Sequence, residues 1–427
     1  MRRTAVIGAG AAGMMAAIAA SEDSRVTLFD KNEIMGRKLL QTGNGKCNFL
    51  NVSLSEDNYR GSLISEGIFK AVREKYPEDF ILDLFSSFGL LYHIKNKGYY
   101  PRSDTSASVN DILINELRQR KVDFHPSTLV KNIEREGDHF ILTLMHLKSN
   151  KKGRDEEKYD AVVIATGGMA APKTGSTGDA YYFAKSFGLK VEEALPGLTR
   201  LLSPDIFFNE TCVRSEVSLK LLIDNEYAGS SEGEMQVTDS GPSGICVFDL
   251  SGRAAKALRS GKKCVLSVDL LPEYSEEQVF KLLGRHSGPD NEKTLDIFTG
   301  IFSERLSLCI DNKMRKELFP DREHPLIPEI RDLRQIASFI KDLRFEIEGT
   351  GDFNSAQVTV GGILGESLTT DLSARDVPGL YFAGECLDID GDCGGYNLYW
   401  AFSSGYAAGK AASQTDAEGS AFYDQDK

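Results

Sequence analysis

Gly8, Gly10 and Gly13 stand at the spacing of a phosphate-binding turn, and their surroundings decide what that spacing means. The run Thr4-Ala5-Val6-Ile7 leads into Gly8-Ala9-Gly10-Ala11-Ala12-Gly13, and a second run, Val26-Thr27-Leu28-Phe29, ends on Asp30. The order is strand, tight turn, helix, strand and acid. Gly8 allows the turn, Gly10 lets the backbone approach a pyrophosphate, Gly13 permits close helix–strand packing, and the N–H groups of the helix start attract the anion. Asp30 lies about 20 residues beyond Gly8, where a carboxylate reaches the ribose hydroxyls of an adenine nucleotide. NAD and FAD share that adenosine end, so the choice between them comes from elsewhere. The 427 residues hold one such fingerprint. Gly361-Gly362-Ile363-Leu364-Gly365 lacks both the spacing and the helix that should follow.

Two further segments supply the other parts of a flavoprotein nucleotide fold. Phe140–Leu144, a polar turn at 148–158 and Tyr159–Gly168 read as a β-hairpin returning a buried strand to the sheet, with Thr166 and Gly167 opening the chain beside the adenosine. Gly379-Leu380-Tyr381-Phe382-Ala383-Gly384-Glu385 is an apolar strand stopped by glycine and an acid. In glutathione-reductase-type flavoproteins a similar strand end places a carboxylate near the ribityl–phosphate region of FAD, the place Glu385 is expected to take here. After the ribose-binding strand, Gly36, Gly43 and Gly45 frame Arg37, Lys38 and Lys46, a cationic loop suited to an extended anionic cofactor. Gly394-Gly395-Tyr396-Asn397 precedes a small-residue helix at 398–411, whose first N–H groups can aim at the pyrimidine edge of a flavin and stabilise negative charge there.

At these strings the chain resembles the bacterial flavoproteins grouped as BaiN-like or aminoacetone-oxidase-like FAD-binding oxidoreductases. The matching text is Gly36-Arg37-Lys38-Leu39-Leu40-Gln41-Thr42-Gly43-Asn44-Gly45-Lys46-Cys47-Asn48, then Gly384-Glu385, Asp388-Ile389-Asp390-Gly391 and the run Cys393 to Gly405. The resemblance implies an α/β fold: a Rossmann-type, glutathione-reductase-like FAD-binding domain with an inserted β-rich domain and a helical subdomain. The expected cofactor set begins with Gly8, Gly10, Ala11, Ala12, Gly13, Asp30 and Lys31. Its cationic loop adds Arg37, Lys38, Leu39, Gly43, Gly45, Cys47 and Asn48. Val130, Thr166, Gly167, Gly384, Glu385, Gly395, Tyr396, Asn397 and Leu398 complete it. FAD is the resident cofactor expected, with NAD(P)H as a transient co-substrate.

From about Gly197 the pattern changes to short alternating strands, such as Ser215–Ile223 and Cys264–Leu270, and a charged helical stretch follows at about 275–342. The expected organisation is an FAD domain at 1–196 and 346–427, a β-rich substrate domain at 197–274 and a helical subdomain at 275–345. Asp239 occupies a turn-rich loop where many relatives carry His, which favours a turn-capping role over proton transfer. Cys47 and Cys393 lie in the flavin-facing strings and are read as small packing residues rather than a redox pair. His93 and Tyr99-Tyr100-Pro101-Arg102 belong to a segment expected on the substrate side, where a lone His is more often structural.

Net charge is −13, from 50 basic and 63 acidic residues, which opposes nucleic acid as the main partner at long range. Seven cysteines without a CxxC pair fit reduced thiols, and six scattered histidines give no metal site. With no signal peptide and no membrane-spanning run, the expectation is a cytoplasmic enzyme acting on a small molecule. The preferred reaction is NAD(P)H-dependent reduction of a conjugated C=C bond, with steroid-like bile-acid enones as one substrate class. A flavin amine oxidase releasing hydrogen peroxide and a non-catalytic flavin redox sensor are the alternatives. No catalytic side chain is assigned, and oligomeric state is left open.

Overall fold

The computed structural model describes residues 1–148, 155–209, 213–285, 294–321 and 330–414. It divides into two compact units, Met1–Ala194 with Val358–Lys427, and Leu195–Gln357. Among the described residues no helix is long and apolar enough to cross a membrane.

The first unit is organised by a six-stranded sheet in the order Ser373–Ala374, Val377–Phe382, Ala161–Ile164, Arg2–Ile7, Ser24–Phe29, Asp123–His125. All neighbours are parallel except the antiparallel edge strand Ser373–Ala374. Its central strands read as continuous apolar runs because both faces are covered, and Ala161–Ile164 is buried throughout. The Asp30 position follows from this register: Ile7 pairs with Phe29, so the turn after the first strand and the acid after the second emerge at the same sheet edge.

The opening helix, Ala11–Ala20, is nearly all buried and packs against the carboxyl-terminal helix, Tyr396–Ser413. Small residues permit this: a Cβ on Gly405 would lie 2.3 Å from the Ala12 carbonyl oxygen, and one on Gly409 would lie 2.1 Å from that of Ala16. The expected hairpin is more elaborate than its sequence reading. Thr128–Glu136, His139–His146 and Asp155–Tyr159 form a separate three-stranded antiparallel sheet, and Ala161–Ile164 then enters the parallel sheet. Asp160 marks the change; it accepts the Arg3 backbone N–H at 2.7 Å and contacts His139 Nδ1 at 2.8 Å. Part of the proposed 148–158 turn lies outside the described residues.

The second unit carries a five-stranded antiparallel sheet, ordered Gly241–Ser243, Glu226–Thr238, Val213–Ile223, Cys264–Asp269, Leu343–Ile347. Val217, Leu219 and Leu221 alternate into its core as a one-face-buried strand requires. The helices Glu276–Arg285, Glu304–Glu317 and Ile330–Lys341 share one apolar cluster with this sheet, so the β-rich and helical stretches read separately in the sequence sit in one unit. Lys313 is fully buried within it, with Nζ 2.5 Å from Asp205 Oδ2, 2.6 Å from Glu317 Oε1 and over the Phe345 ring.

Candidate functional site

The opening turn separates two kinds of glycine. A Cβ on Gly8 would lie 2.5 Å from the Ala165 carbonyl oxygen, and one on Gly13 would lie 1.7 Å from the Gly8 carbonyl oxygen. Those two glycines are demanded by the fold. Gly10 has nothing within 4 Å of its virtual Cβ and precedes an uncapped helix start, so open space rather than protein lies beside the N–H groups of the first helical turn. Ala11 begins the helix, and Ala12 lies under Gly384, whose virtual Cβ is 2.7 Å from the Ala12 Cβ.

Asp30 Oδ2 accepts the Ala9 N–H at 2.7 Å, and its Oδ1 accepts the Asn32 N–H at 2.6 Å. Burial pushes this carboxyl above its ordinary pKa, partly offset by those two N–H donors. Lys31 turns to Asp179, 2.6 Å away, and Arg37 donates to Asn32 Oδ1 at 2.7 Å from an exposed position. Val130 is buried in the strand Thr128–Glu136.

The cationic loop is anchored at its start by the Gly36 N–H, which donates to the Ala9 carbonyl at 2.8 Å. Leu39 is buried as a 3-10 segment begins; Gly43 and Asn44 then adopt left-handed φ, as does Cys47. Gly45 is open on its Cβ side, like Gly10. Lys38 reaches across to Glu385, Nζ to Oε2 at 2.6 Å. Glu385 Oε1 also accepts the Thr359 hydroxyl at 2.8 Å and backbone N–H at 3.1 Å, while Thr359 Oγ1 accepts the N–H groups of Met169 and Ala170 at 2.8 and 3.0 Å. The structure thus joins the cationic loop, the strand-end acid and the chain after Thr166-Gly167 through one residue, Thr359, that no motif marked. Its only sequence signal is a short β-branched run, Val358-Thr359-Val360, before two glycines.

Gly394 and Gly395 have φ of 129° and 99°, the region that favours glycine. A Cβ on Gly395 would lie 2.7 Å from the Leu50 carbonyl, and Asn51 Nδ2 donates to the Gly394 carbonyl at 2.9 Å. The helix at Tyr396–Ser413 has no side-chain cap, leaving its start as a backbone-donor site. Asn397 spends its side chain locally, accepting from the Gly391 N–H and donating to the Gly391 carbonyl, so only its backbone could face a ligand. Tyr396 is buried and Leu398 half-buried.

Cys47 and Cys393 form no disulfide. Burial pushes the Cys47 thiol up to about 12, so it remains a thiol at neutral pH. Asp239 is exposed in the turn after Glu226–Thr238 and accepts the Ser240 hydroxyl at 3.2 Å. FAD fits the donor set of the first unit on local grounds. Gly10 and Gly45 are open, and the buried Asn48 Oδ1 and Thr166 Oγ1 have no hydrogen-bond partner in the protein.

Comparison with known proteins gives this geometry a lineage. Over 423 residues, 97% of this chain and 100% of the relative, the sequence is 34% identical to the 3-dehydro-bile acid delta(4,6)-reductase of Clostridium scindens. It is 29% identical over 404 residues, 94% of this chain and 96% of the relative, to the ribosomal RNA dihydrouridine synthase of Escherichia coli. That second relative is named for ribosomal RNA, so the exclusion of nucleic acid drawn from net charge does not stand. The 3-ketosteroid delta1-dehydrogenase of Sterolibacterium denitrificans shares the fold, with a TM-score of 0.50 at 14% identity over 97% of this chain and 100% of that one. The family model described as the HI0933-like protein Rossmann domain matches residues 2–411. The chain therefore belongs to the HI0933-like family of FAD-dependent oxidoreductases.

Proposed function

We propose that this protein uses reducing equivalents from NAD(P)H to reduce a C=C bond conjugated to a carbonyl in a small, largely apolar substrate, a steroid-like enone being the leading class. The observation that carries the reading is end-to-end identity of 34% to a relative named for bile-acid reduction. Dihydrouridine differs from uridine by two hydrogens across a ring double bond conjugated to a carbonyl. The names of the two relatives thus describe one kind of reaction on different molecules. The higher identity to the first of these, 34% against 29%, favours the small substrate.

Bound FAD would supply two-electron hydride chemistry. Asp30 would accept from the ribose, and the N–H groups after Gly10 would hold the pyrophosphate. Lys38 and Glu385 would hold the middle of the cofactor, and Asn48 and Thr166 would contribute polar contacts. The start of Tyr396–Ser413 would set helix-dipole charge beside the flavin ring, where it would stabilise negative charge. Uridine in ribosomal RNA is the second reading, favoured by the relatives in Escherichia coli and Haemophilus influenzae, the latter 27% identical over 416 residues.

Anaerobic titration tests the proposal. NADH or NADPH should bleach the yellow protein, and a conjugated enone should restore the colour. Bleaching by an amine with peroxide formed in air would replace the reductase with an oxidase, and no response to any of them would leave a sensor. Recolouring by uridine-containing ribosomal RNA alone would move the substrate to the second reading.

A further inference from the structure

We propose that Tyr100 is the proton donor of the reduction, held by the His93–Asp104 pair beside the turn that starts the carboxyl-terminal helix. This rests on the reading that the protein reduces a C=C bond conjugated to a carbonyl.

Three short strands, Leu50–Asn51, Gly98–Pro101 and Tyr92–Lys95, form an antiparallel sheet in that order. Tyr99 opposes both Leu50 and Ile94, and its ring meets those of Tyr92 and Phe49. That face belongs to the apolar core. Alternation along the strand sends Tyr100 to the opposite face, where its cross-strand partner is His93. The two rings stack with centroids 6.1 Å apart and planes 21° from parallel. His93 Nε2 lies 3.3 Å from Asp104 Oδ1. Asp104 is set by the end of the hairpin, with left-handed φ and its N–H donating to the Pro101 carbonyl at 2.9 Å. The other ring nitrogen, His93 Nδ1, is buried with no protein partner.

The same sheet is clasped to the helix start. Leu50 backbone abuts Gly395, and Asn51 binds the Gly394 carbonyl, so Tyr100 is carried to the turn whose N–H groups are the candidate flavin donors. Burial pushes the Tyr100 phenol above its ordinary pKa, with Cys393 and then Asp104 adding to the shift. A neutral phenol at physiological pH is the form that can give a proton. By contrast, the buried phenols of Tyr59 and Tyr399 donate to the carbonyls of Tyr396 and Tyr76 at 2.8 and 2.9 Å, bonds that tie the fold. Tyr100 is only half-buried, so a substrate can reach it.

Two electrons and one hydrogen, originating in the nicotinamide, arrive as hydride at the carbon β to the carbonyl, and the π pair passes to the enolate. The Tyr100 O–H bond breaks, its proton forms the C–H bond at the α carbon, and water returns a proton to the phenolate. His93 and Asp104 are positioning residues that fix the ring.

Rapid mixing of the FAD-loaded protein separates the two half-reactions. Tyr100→Phe should leave bleaching by NAD(P)H within about twofold of the parent and slow reoxidation by the enone about 100-fold, in the range for loss of a general acid. His93→Ala should alter the pH profile of reoxidation while sparing bleaching. If Tyr100→Phe fails to fold, 3-fluorotyrosine at position 100 should move the alkaline limb of reoxidation to lower pH. Equal reoxidation in Tyr100→Phe, an unmoved limb with 3-fluorotyrosine, or the loss appearing in Cys393→Ser instead would overturn the assignment. A parent protein whose bleached flavin no conjugated enone reoxidises would overturn the functional reading itself, a different result from a parent that turns over with an unaffected Tyr100→Phe.

Discussion

The turn at residues 8–13 and the turn at 391–398 each lead into a helix without a side-chain cap, yet they use glycine differently. In the first, crowding and openness fall on separate residues: Gly8 and Gly13 are pressed by backbone, whereas Gly10 faces open space. In the second there is no such division, because Gly395, which heads the helix proposed to face the flavin, itself holds a left-handed φ and is pressed by the Leu50 backbone. A substitution in the first turn can therefore remove ligand binding without removing the fold. In the second turn the two losses are joined.

The largest effect is expected where backbone is crowded. Gly13→Val has no room for its Cβ, 1.7 Å from a carbonyl oxygen, and should prevent recovery of soluble protein. Gly395→Pro also meets the Leu50 backbone and should lose both FAD and thermal stability, measured by cofactor content and melting temperature. Gly10→Val should weaken FAD at least about 100-fold, roughly 2.7 kcal/mol, with an unchanged melting temperature for the stripped protein. A lowered melting temperature in stripped Gly10→Val would erase the distinction between the turns.

Smaller effects sharpen it. Lys38→Met leaves the Glu385 carboxylate, about one-fifth exposed, without its cation and should raise the FAD dissociation constant about tenfold, near 1.4 kcal/mol. Arg37→Glu acts from an exposed position and should cost about threefold at low salt, shrinking as ionic strength rises. Asp239→Asn, in the other unit, should change FAD affinity in neither condition.

The parallel sheet and the opening turn were legible because their signals are local: apolar runs of strand length, glycine spacing, and an acid at a strand end. Glu385 was legible for the same reason. Thr359 was not, since its role comes from meeting Glu385, Met169 and Ala170 across large sequence separations. Nor could the sequence distinguish Gly10 from Gly395, because only the fold reveals that Leu50 stands against one and nothing against the other. Asn397 shows the converse, a polar residue in a cofactor-like string whose side chain the fold spends on Gly391. Tyr99 and Tyr100 are adjacent and alike in type; strand alternation alone gives one to the core and the other to His93.

In the proposed site the open glycines, Asp30 and the Lys38–Glu385 pair form one cradle for FAD. Heat release of the cofactor from purified protein, followed by chromatography, tests it most directly. The expected result is FAD at close to one per chain in the parent and almost none in Gly10→Val. Release of FMN, or a colourless parent that cannot be reconstituted with FAD, would contradict it.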